Sequence, residues 1–365
     1  MGKARDPMTT IYLIRHAQAE GNLYRRCHSW HNGLLTHTGR EQVKALEKRF
    51  EGVHFDAAYS SDLYRTMSTA GAVCRTRGLT LRVDPQLREI GAGVWEDVPW
   101  GQLLHDHRDS LAAFLRCDPA WQVEGSETHT QVRRRVRAAV ERIAQAHPGQ
   151  TVAVVSHGCA IRAALSAWLG LGEDEIGRLP LPDNTGVAKL EAADGRVSVI
   201  YYNDSRHLPP PSAPPLVGVA GMEKNALRFS PLPIPQERAQ YLAALEECGL
   251  APDSVDGGSH APDSMVLALL GDTPVGLLHM DWAREDAPRT GWVSLLYVAP
   301  EFRGQRFGAQ LLGHAVCTYR AMGRQFLRLP CPPDNERAKK FFFAHGFAHA
   351  DSRPDTLEQY IGLAL

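Results

Sequence analysis

Two short apolar runs, each ending in a histidine, set the strongest limit on how this chain can fold. Ile11-Tyr12-Leu13-Ile14 leads directly into Arg15-His16, and Thr151-Val152-Ala153-Val154-Val155 leads into Ser156-His157. Runs of this length, rich in β-branched residues and without polar alternation, read as strands buried on both faces, the pattern of a parallel sheet covered by helices. In such sheets ligands collect outside the carboxyl ends of the strands, so both histidines would stand where a ligand binds. An arginine beside a histidine suits an anion: the guanidinium grips oxygens while the imidazole offers a nucleophilic nitrogen.

The segments between these strands extend the pattern. A helix opens near Leu35-Thr36-His37-Thr38, with Thr38 as its cap and Val43, Leu46 and Phe50 as its apolar stripe. A strand over 55–59 runs into Ser60-Ser61-Asp62-Leu63-Tyr64-Arg65-Thr66, where a helix begins and puts Arg65 on its first turn, on the positive end of the helix dipole. A strand-like stretch over 79–83 precedes Leu87-Arg88-Glu89-Ile90 and Gly93-Val94-Trp95-Glu96. A helix over 131–147 buries Val132, Val136, Val140 and Ile143, and Arg133, Arg134, Arg135 and Arg137 read as its solvated face.

Together these segments resemble the histidine phosphatase superfamily, the phosphoglycerate mutase-like group. Arg15-His16-Ala17-Gln18 stands for its R-H-G-E/Q, Ser61 to Ala70 for its S-x-L-x-R-x-x-x-T-A helix start, Leu87 to Glu96 for its L-R-E-x-x-x-G-x-W-E, and Ser156-His157-Gly158 for its second histidine motif. The resemblance implies a catalytic set of His16 as nucleophile, Glu89 as proton donor, and Arg15, Arg65 and His157 as phosphoryl ligands. Asn22 is implied as a substrate contact. A carboxyl donates near neutral pH only where its surroundings favour the protonated form. No metal is required by the implied chemistry. Gly125-Ser126-Glu127-Thr128 stands where the family has G-E-S, with the order altered. The remaining histidines, including His28 and His31, read as surface or packing residues. About 35 residues separate Glu89 from Gly125, too few for the insertions of the family's mutases, which favours a hydrolase.

The second half is written differently. Pro209-Pro210-Pro211 and Pro214-Pro215 mark an extended spacer. Beyond it, Met265–Leu270 and Val275–Met280 read as a hairpin, and an apolar strand over 292–298 feeds Ala299-Pro300-Glu301-Phe302-Arg303-Gly304-Gln305-Arg306-Phe307-Gly308-Ala309 and a helix over 310–322. A strand, a glycine-containing turn and a helix N-terminus form a cradle for pyrophosphate. This segment resembles the acetyl-CoA loop of GNAT-type N-acetyltransferases, and Asn335, Ala338, Phe341, Gly346 and Phe347 resemble that family's second motif. Acetyl-CoA is thereby implied as cofactor, with Val298, Arg303, Gly304, Arg306, Gly308, Ala309 and Asn335 as its binding residues. Arg306 replaces a glycine. Phe342 replaces the tyrosine that often protonates the departing thiolate, and Ser294 is the polar residue of the central strand.

The expected architecture is α/β throughout. A three-layer αβα histidine phosphatase domain with a mostly parallel sheet spans 1–205, a proline-rich linker 206–222, and a mixed-sheet GNAT acetyltransferase-like domain 223–365. The expected function is a phosphomonoester hydrolase working through phosphohistidine, fused to an acetyl-CoA-dependent N-acyltransferase. Two other readings stand beside it: a cofactor-type phosphoglycerate mutase, and a phosphatase whose second half only binds CoA or dimerises. Implied partners are a small-molecule phosphoester and an amine, and the chain also allows a homodimer. A net charge of −1 over 365 residues points to neither nucleic acid nor membrane. Seven scattered cysteines without a C-x-x-C pair point to a reducing, cytoplasmic setting.

Overall fold

The computed structural model describes residues 7–210, 218–232, 234–249, 263–282, 284, 289–350 and 353–362. They fall into two compact units. The first comprises residues up to Glu20, Cys27–Asp97 and Arg108–Gly218; the second comprises Gly21–Arg26, Val98–His107 and Val219–Leu365. The division therefore differs from a single cut in the proline-rich stretch, because two short segments of the first half group with the second unit. Pro211, Pro214 and Pro215 lie outside the described residues.

In chain order the first half carries β1 (Thr9–Arg15), α1 (Glu20–Tyr24), α2 (His37–Arg49), β2 (Ala57–Ser60), α3 (Tyr64–Cys74), β3 (Leu81–Val83), α4 (Trp100–Asp106), α5 (Arg108–Arg116), α6 (His129–Ala146), β4 (Thr151–Ser156), α7 (Gly158–Trp168), β5 (Val187–Ala193) and β6 (Arg196–Asp204). Six strands form one sheet in the order β3-β2-β4-β1-β5-β6. The β3, β2, β4 and β1 pairings are parallel, and β5 and β6 run antiparallel to their neighbours. β4 returns between β1 and β2, so β1 and β4 end side by side, with Arg15 opposite Ser156. Helices α2 and α3 cover one face, where Ile14, Leu46, Phe50, Phe55, Val73 and Val155 form a fully buried cluster. Helices α6 and α7 pack on the other. Each such aliphatic side chain contributes ~1.5–3 kcal/mol by leaving water.

The cap of α2 is Thr36 rather than Thr38: its hydroxyl accepts from Gly39 N–H at 3.0 Å. Helix α6 starts two residues earlier than its apolar period suggests, because Thr128 and Gln131 close a reciprocal capping box.

The second half carries α8 (Gly218–Glu223), β7 (Arg228–Pro231), α9 (Ile234–Glu247), β8 (Met265–Leu270), β9 (Thr273–Asp281), β10 (Thr290–Val298), α10 (Phe307–Ala321), β11 (Phe326–Pro330), α11 (Glu336–Ala344), β12 (Ala348–Ala350) and β13 (Arg353–Tyr360). Its mixed sheet has the order β12-β13-β11-β10-β9-β8-β7. Leu278, Val293, Leu311, Val316, Tyr319, Leu327 and Leu357 lie in its core. Strands β10 and β11 pair in parallel over Thr290–Trp292 only. Both continue beyond that point without pairing to each other, which opens a wedge between them. No helix among the described residues is long and apolar enough to cross a membrane.

Candidate active site

The carboxyl ends of β1 and β4 bring the two histidines together. His16 N–H donates to Ser156 O at 3.0 Å, and the imidazole centroids of His16 and His157 stand 5.2 Å apart. His16 is 5% exposed and His157 is fully buried. The backbone of His16 is held on its other side as well, by the Asn184 amide donating to His16 O and by Ala17 N–H donating to Thr69 Oγ1.

Hydrogen-bond chemistry fixes the tautomer of His16. His16 Nδ1 lies 2.7 Å from Ala17 O. A carbonyl only accepts, so Nδ1 carries the proton and Nε2 keeps the lone pair. Thr66 Oγ1 lies 2.7 Å from both Leu63 O and Ser61 Oγ, and Ser61 Oγ lies 2.7 Å from His157 Nε2. A Ser61 hydroxyl donating to Nε2 leaves the proton of the neutral ring on Nδ1. His157 Nδ1 is buried and has no hydrogen-bond partner. Burial above all, then Arg65 and Arg15, pushes the His16 pKa well below its ordinary value; burial and Arg65 do the same to His157. His16 is thus neutral at physiological pH, the state a nucleophile needs.

One buried and one half-buried arginine supply the positive charge. Arg65, on the first turn of α3, is 2% exposed and donates to His31 O at 3.1 Å and Ser29 O at 2.6 Å. Burial lowers its pKa to about 10, so it remains charged. Arg15 donates to Pro182 O, and its Nε is buried without a partner.

Glu89 sits at the N-terminus of α7. Its Oε1 accepts from Ala160 N–H at 2.9 Å and Ile90 N–H at 3.1 Å, and its Oε2 accepts from Cys159 N–H at 3.1 Å. The structure therefore joins Arg15, His16, Arg65, Glu89 and His157 through neighbouring strand ends and helix starts. Asn22 lies in α1, half-buried, in a segment that groups with the second unit.

Several positioning residues are not evident from sequence pattern. Arg135, expected on a solvated helix face, is half-buried. It pairs bidentately with Glu127 at 2.6 and 2.7 Å and donates to Arg88 O and Glu89 O, both at 2.7 Å. It thus holds the proton-donor segment from behind, and the altered Gly125-Ser126-Glu127 loop supplies its counter-charge. Arg133 similarly donates to Leu171 O and Gly172 O. His28 and His31 are not packing residues either: both meet Asp97 beside Arg65.

In the second unit the register of β10 shifts between Val293 and Leu295. The bulge places Ser294 in a cavity of about 40 Å³ lined also by Val293, Leu295, Asn335, Ala338 and Phe342. Ser294 Oγ is buried and has no partner. Arg306 adopts φ +69°, ψ 11°, a left-handed conformation that favours glycine, and caps α10 without any side-chain bond. The arginine thus keeps the backbone course of the glycine it replaces, while its side chain is exposed. Asn335 accepts from Ala338 N–H at 3.0 Å as the cap of α11. Arg303 is partly committed: it donates to Val298 O at 2.8 Å and to the Glu247 carboxylate. It braces the end of β10.

Comparison with known proteins matches this geometry. The sequence profile of the histidine phosphatase superfamily (branch 1) matches residues 11–205, and that of the acetyltransferase (GNAT) family matches residues 228–347. Phosphoserine phosphatase 1 of Hydrogenobacter thermophilus is 26% identical over 201 residues, covering 55% of this chain and 95% of that protein. A protein of Yersinia pestis named probable phosphoglycerate mutase GpmB is 31% identical over 174 residues, covering 48% of this chain and 81% of its own. Among solved structures, Bacillus stearothermophilus YhfR superposes with a TM-score of 0.53 at 30% identity, over 55% of this chain and 98% of that one. A mycobacterial glucosyl-3-phosphoglycerate phosphatase solved with VO3 gives 0.50 at 27% identity, over 55% and 100%. The chain belongs to the histidine phosphatase superfamily through its first half and carries a GNAT-family acetyltransferase domain in its second.

Proposed function

We propose that the first unit hydrolyses small-molecule phosphomonoesters through a phosphohistidine on His16. The observation that carries this reading is the bond from His16 Nδ1 to Ala17 O, which leaves the Nε2 lone pair for phosphorus. Nε2 attacks in line, the bond from phosphorus to the ester oxygen breaks, and the Glu89 carboxyl gives that oxygen its proton. Water then attacks phosphorus, the P–N bond breaks, Glu89 takes the proton from water, and phosphate leaves with His16 neutral again. Arg15, Arg65 and His157 hold the equatorial oxygens, where charge gathers. Asn22 is assigned to the substrate on its motif position alone.

The phosphatase names among the relatives put phosphoserine and glucosyl-3-phosphoglycerate in the first substrate panel. Run with and without a bisphosphoglycerate primer, the panel should release inorganic phosphate in both cases. Primer-dependent isomerisation of 3-phosphoglycerate without phosphate release would replace this reading with the mutase.

For the second unit we infer binding of acetyl-CoA and transfer of its acyl group to an amine. The wedge between β10 and β11, the unpartnered Ser294 hydroxyl and the uncapped start of α10 fit such a group. Backbone N–H groups of Gly304, Arg306, Gly308 and Ala309 would hold the pyrophosphate, with Val298 and Asn335 beside the thioester arm. The cofactor supplies an activated acyl thioester. Arg303 commits two of its five guanidinium N–H groups to Val298 and Glu247 and stays in the binding set through the others. Phe342 offers no proton to a leaving thiolate and favours the reading in which this unit binds CoA without turnover. Calorimetry should give micromolar binding of acetyl-CoA, about −8 kcal/mol. No heat at high ligand would remove the cofactor, and binding without an acetylated product on an amine panel would establish the binding-module reading.

A further inference from the structure

Beside Arg65, and outside the set assigned to phosphoryl transfer, His28 and His31 converge on Asp97. His28 Nε2 lies 2.8 Å from Asp97 Oδ1, and His31 Nε2 lies 4.0 Å from Asp97 Oδ2. The two imidazole centroids are 4.7 Å apart. One ligating atom from each of the three residues falls within 4.8 Å of the others, the one such grouping of histidine, cysteine and carboxylate side chains among the described residues. The side chains of His28 and Asp97 are 6% and 19% exposed. His31 Nε2 and His28 Nδ1 are buried and make no hydrogen bond. A buried polar nitrogen without a partner costs of order 1–3 kcal/mol, and at His31 Nε2, one of the three converging atoms, it calls for a ligand.

The scaffold holds the three donors in place before any ligand arrives. Asp97 N–H donates to Cys27 O at 2.8 Å, tying the carboxylate to the loop that carries both histidines. The Glu96 carboxylate accepts from Trp30 and His31 N–H on the same loop, at 2.9 to 3.0 Å. Asp97 itself has φ +57°, a conformation costing a non-glycine residue roughly 1–2 kcal/mol and kept where the surroundings demand it. Glu96 offsets part of the positive charge of Arg65 nearby.

We propose that His28 Nε2, His31 Nε2 and an Asp97 carboxylate oxygen form a binding site for a divalent transition-metal ion of the zinc class. Two imidazoles and one carboxylate suit zinc, cobalt, nickel or iron(II) rather than magnesium or calcium, and leave coordination positions for water or an anionic oxygen. On binding, the ion takes the place of the proton between His28 and Asp97, and the ring proton moves to Nδ1, so no net proton is released. The hydrolytic steps above draw nothing from this ion, and the site stands or falls separately from them.

The test uses the full chain, stripped with a chelator, equilibrated with zinc chloride and desalted. Elemental analysis should find a single zinc ion per chain, and cobalt substitution should give visible absorption without the intense near-ultraviolet band of thiolate ligation. His31→Ala and Asp97→Asn should each weaken zinc affinity by more than about tenfold, whereas alanine at solvent-facing His54 leaves it unchanged. Far-ultraviolet circular dichroism of the metal-free variants separates ligand loss from unfolding, and if Asp97→Asn unfolds, His31→Ala decides alone. No retained zinc, unchanged affinity in His31→Ala, or a thiolate band assigning the ion to cysteine would each overturn the proposal.

Discussion

His16→Ala is expected to lower phosphoester turnover by at least about 10⁴-fold and to abolish an acid-labile, alkali-stable phosphoprotein in quenched reactions. The side chain is fixed by its own Nδ1 bond and by the strand end beneath it, so no neighbouring group can supply a lone pair at the same point. His157 cannot substitute, because Ser61 holds its Nε2. Full turnover in the alanine variant would overturn the mechanism. A pH signature accompanies the loss. The native pKa of His16 lies well below that of an unfolded histidine, so the unfolded chain takes up a proton that the folded chain refuses. Stability is therefore lost as pH falls below about 6.5, at ~1.4 kcal/mol per pH unit for each such group. Between pH 7 and pH 5 the alanine variant should lose less stability than the wild type, as read from urea midpoints.

Glu89→Gln should show a dependence on the leaving group. Alkyl phosphates depart as strongly basic alkoxides and need a proton, so their turnover should fall by about 10²–10⁴-fold. Nitrophenyl phosphate departs as a stable anion and should fall by less than about tenfold on the same reasoning. The amide oxygen can still accept one N–H from the start of α7, but its NH₂ then faces the other, weakening the first turn by ~1 kcal/mol. Equal losses for both substrates would show that Glu89 serves only as a helix cap.

The phosphoryl site was legible in the sequence because each member stands at a junction where an apolar run meets a turn. Strand ends and helix starts leave marks in both periodicity and polarity, and the resemblance to the family's ordered motifs is what assigned Arg15, His16, Arg65 and His157 to one site. What supports them left no such mark. Arg135 lies among four arginines on one helix, and periodicity cannot say which of them meets Glu127. His28, His31 and Asp97 come together through loop backbone bonds, across a separation with no repeat to reveal it. In the second half the turn after β10 was recognisable, yet Arg303 matched by position and is partly engaged elsewhere, because a long flexible side chain chooses among partners that only packing brings near. The grouping of Gly21–Arg26 and Val98–His107 with the second unit was equally hidden.

The placement of His16 and His157 directly after the two central strands has a consequence for dynamics. Amides there exchange with solvent only when the whole unit opens, since His16 N–H is bonded to Ser156 O and both strands are flanked on either side. In deuterium-exchange experiments the reacting centre should be among the slowest regions of the chain. The order of the nucleophile is then backed by the global unfolding free energy rather than by the closure of a loop, and damage to the buried sheet would erase catalysis and protection together.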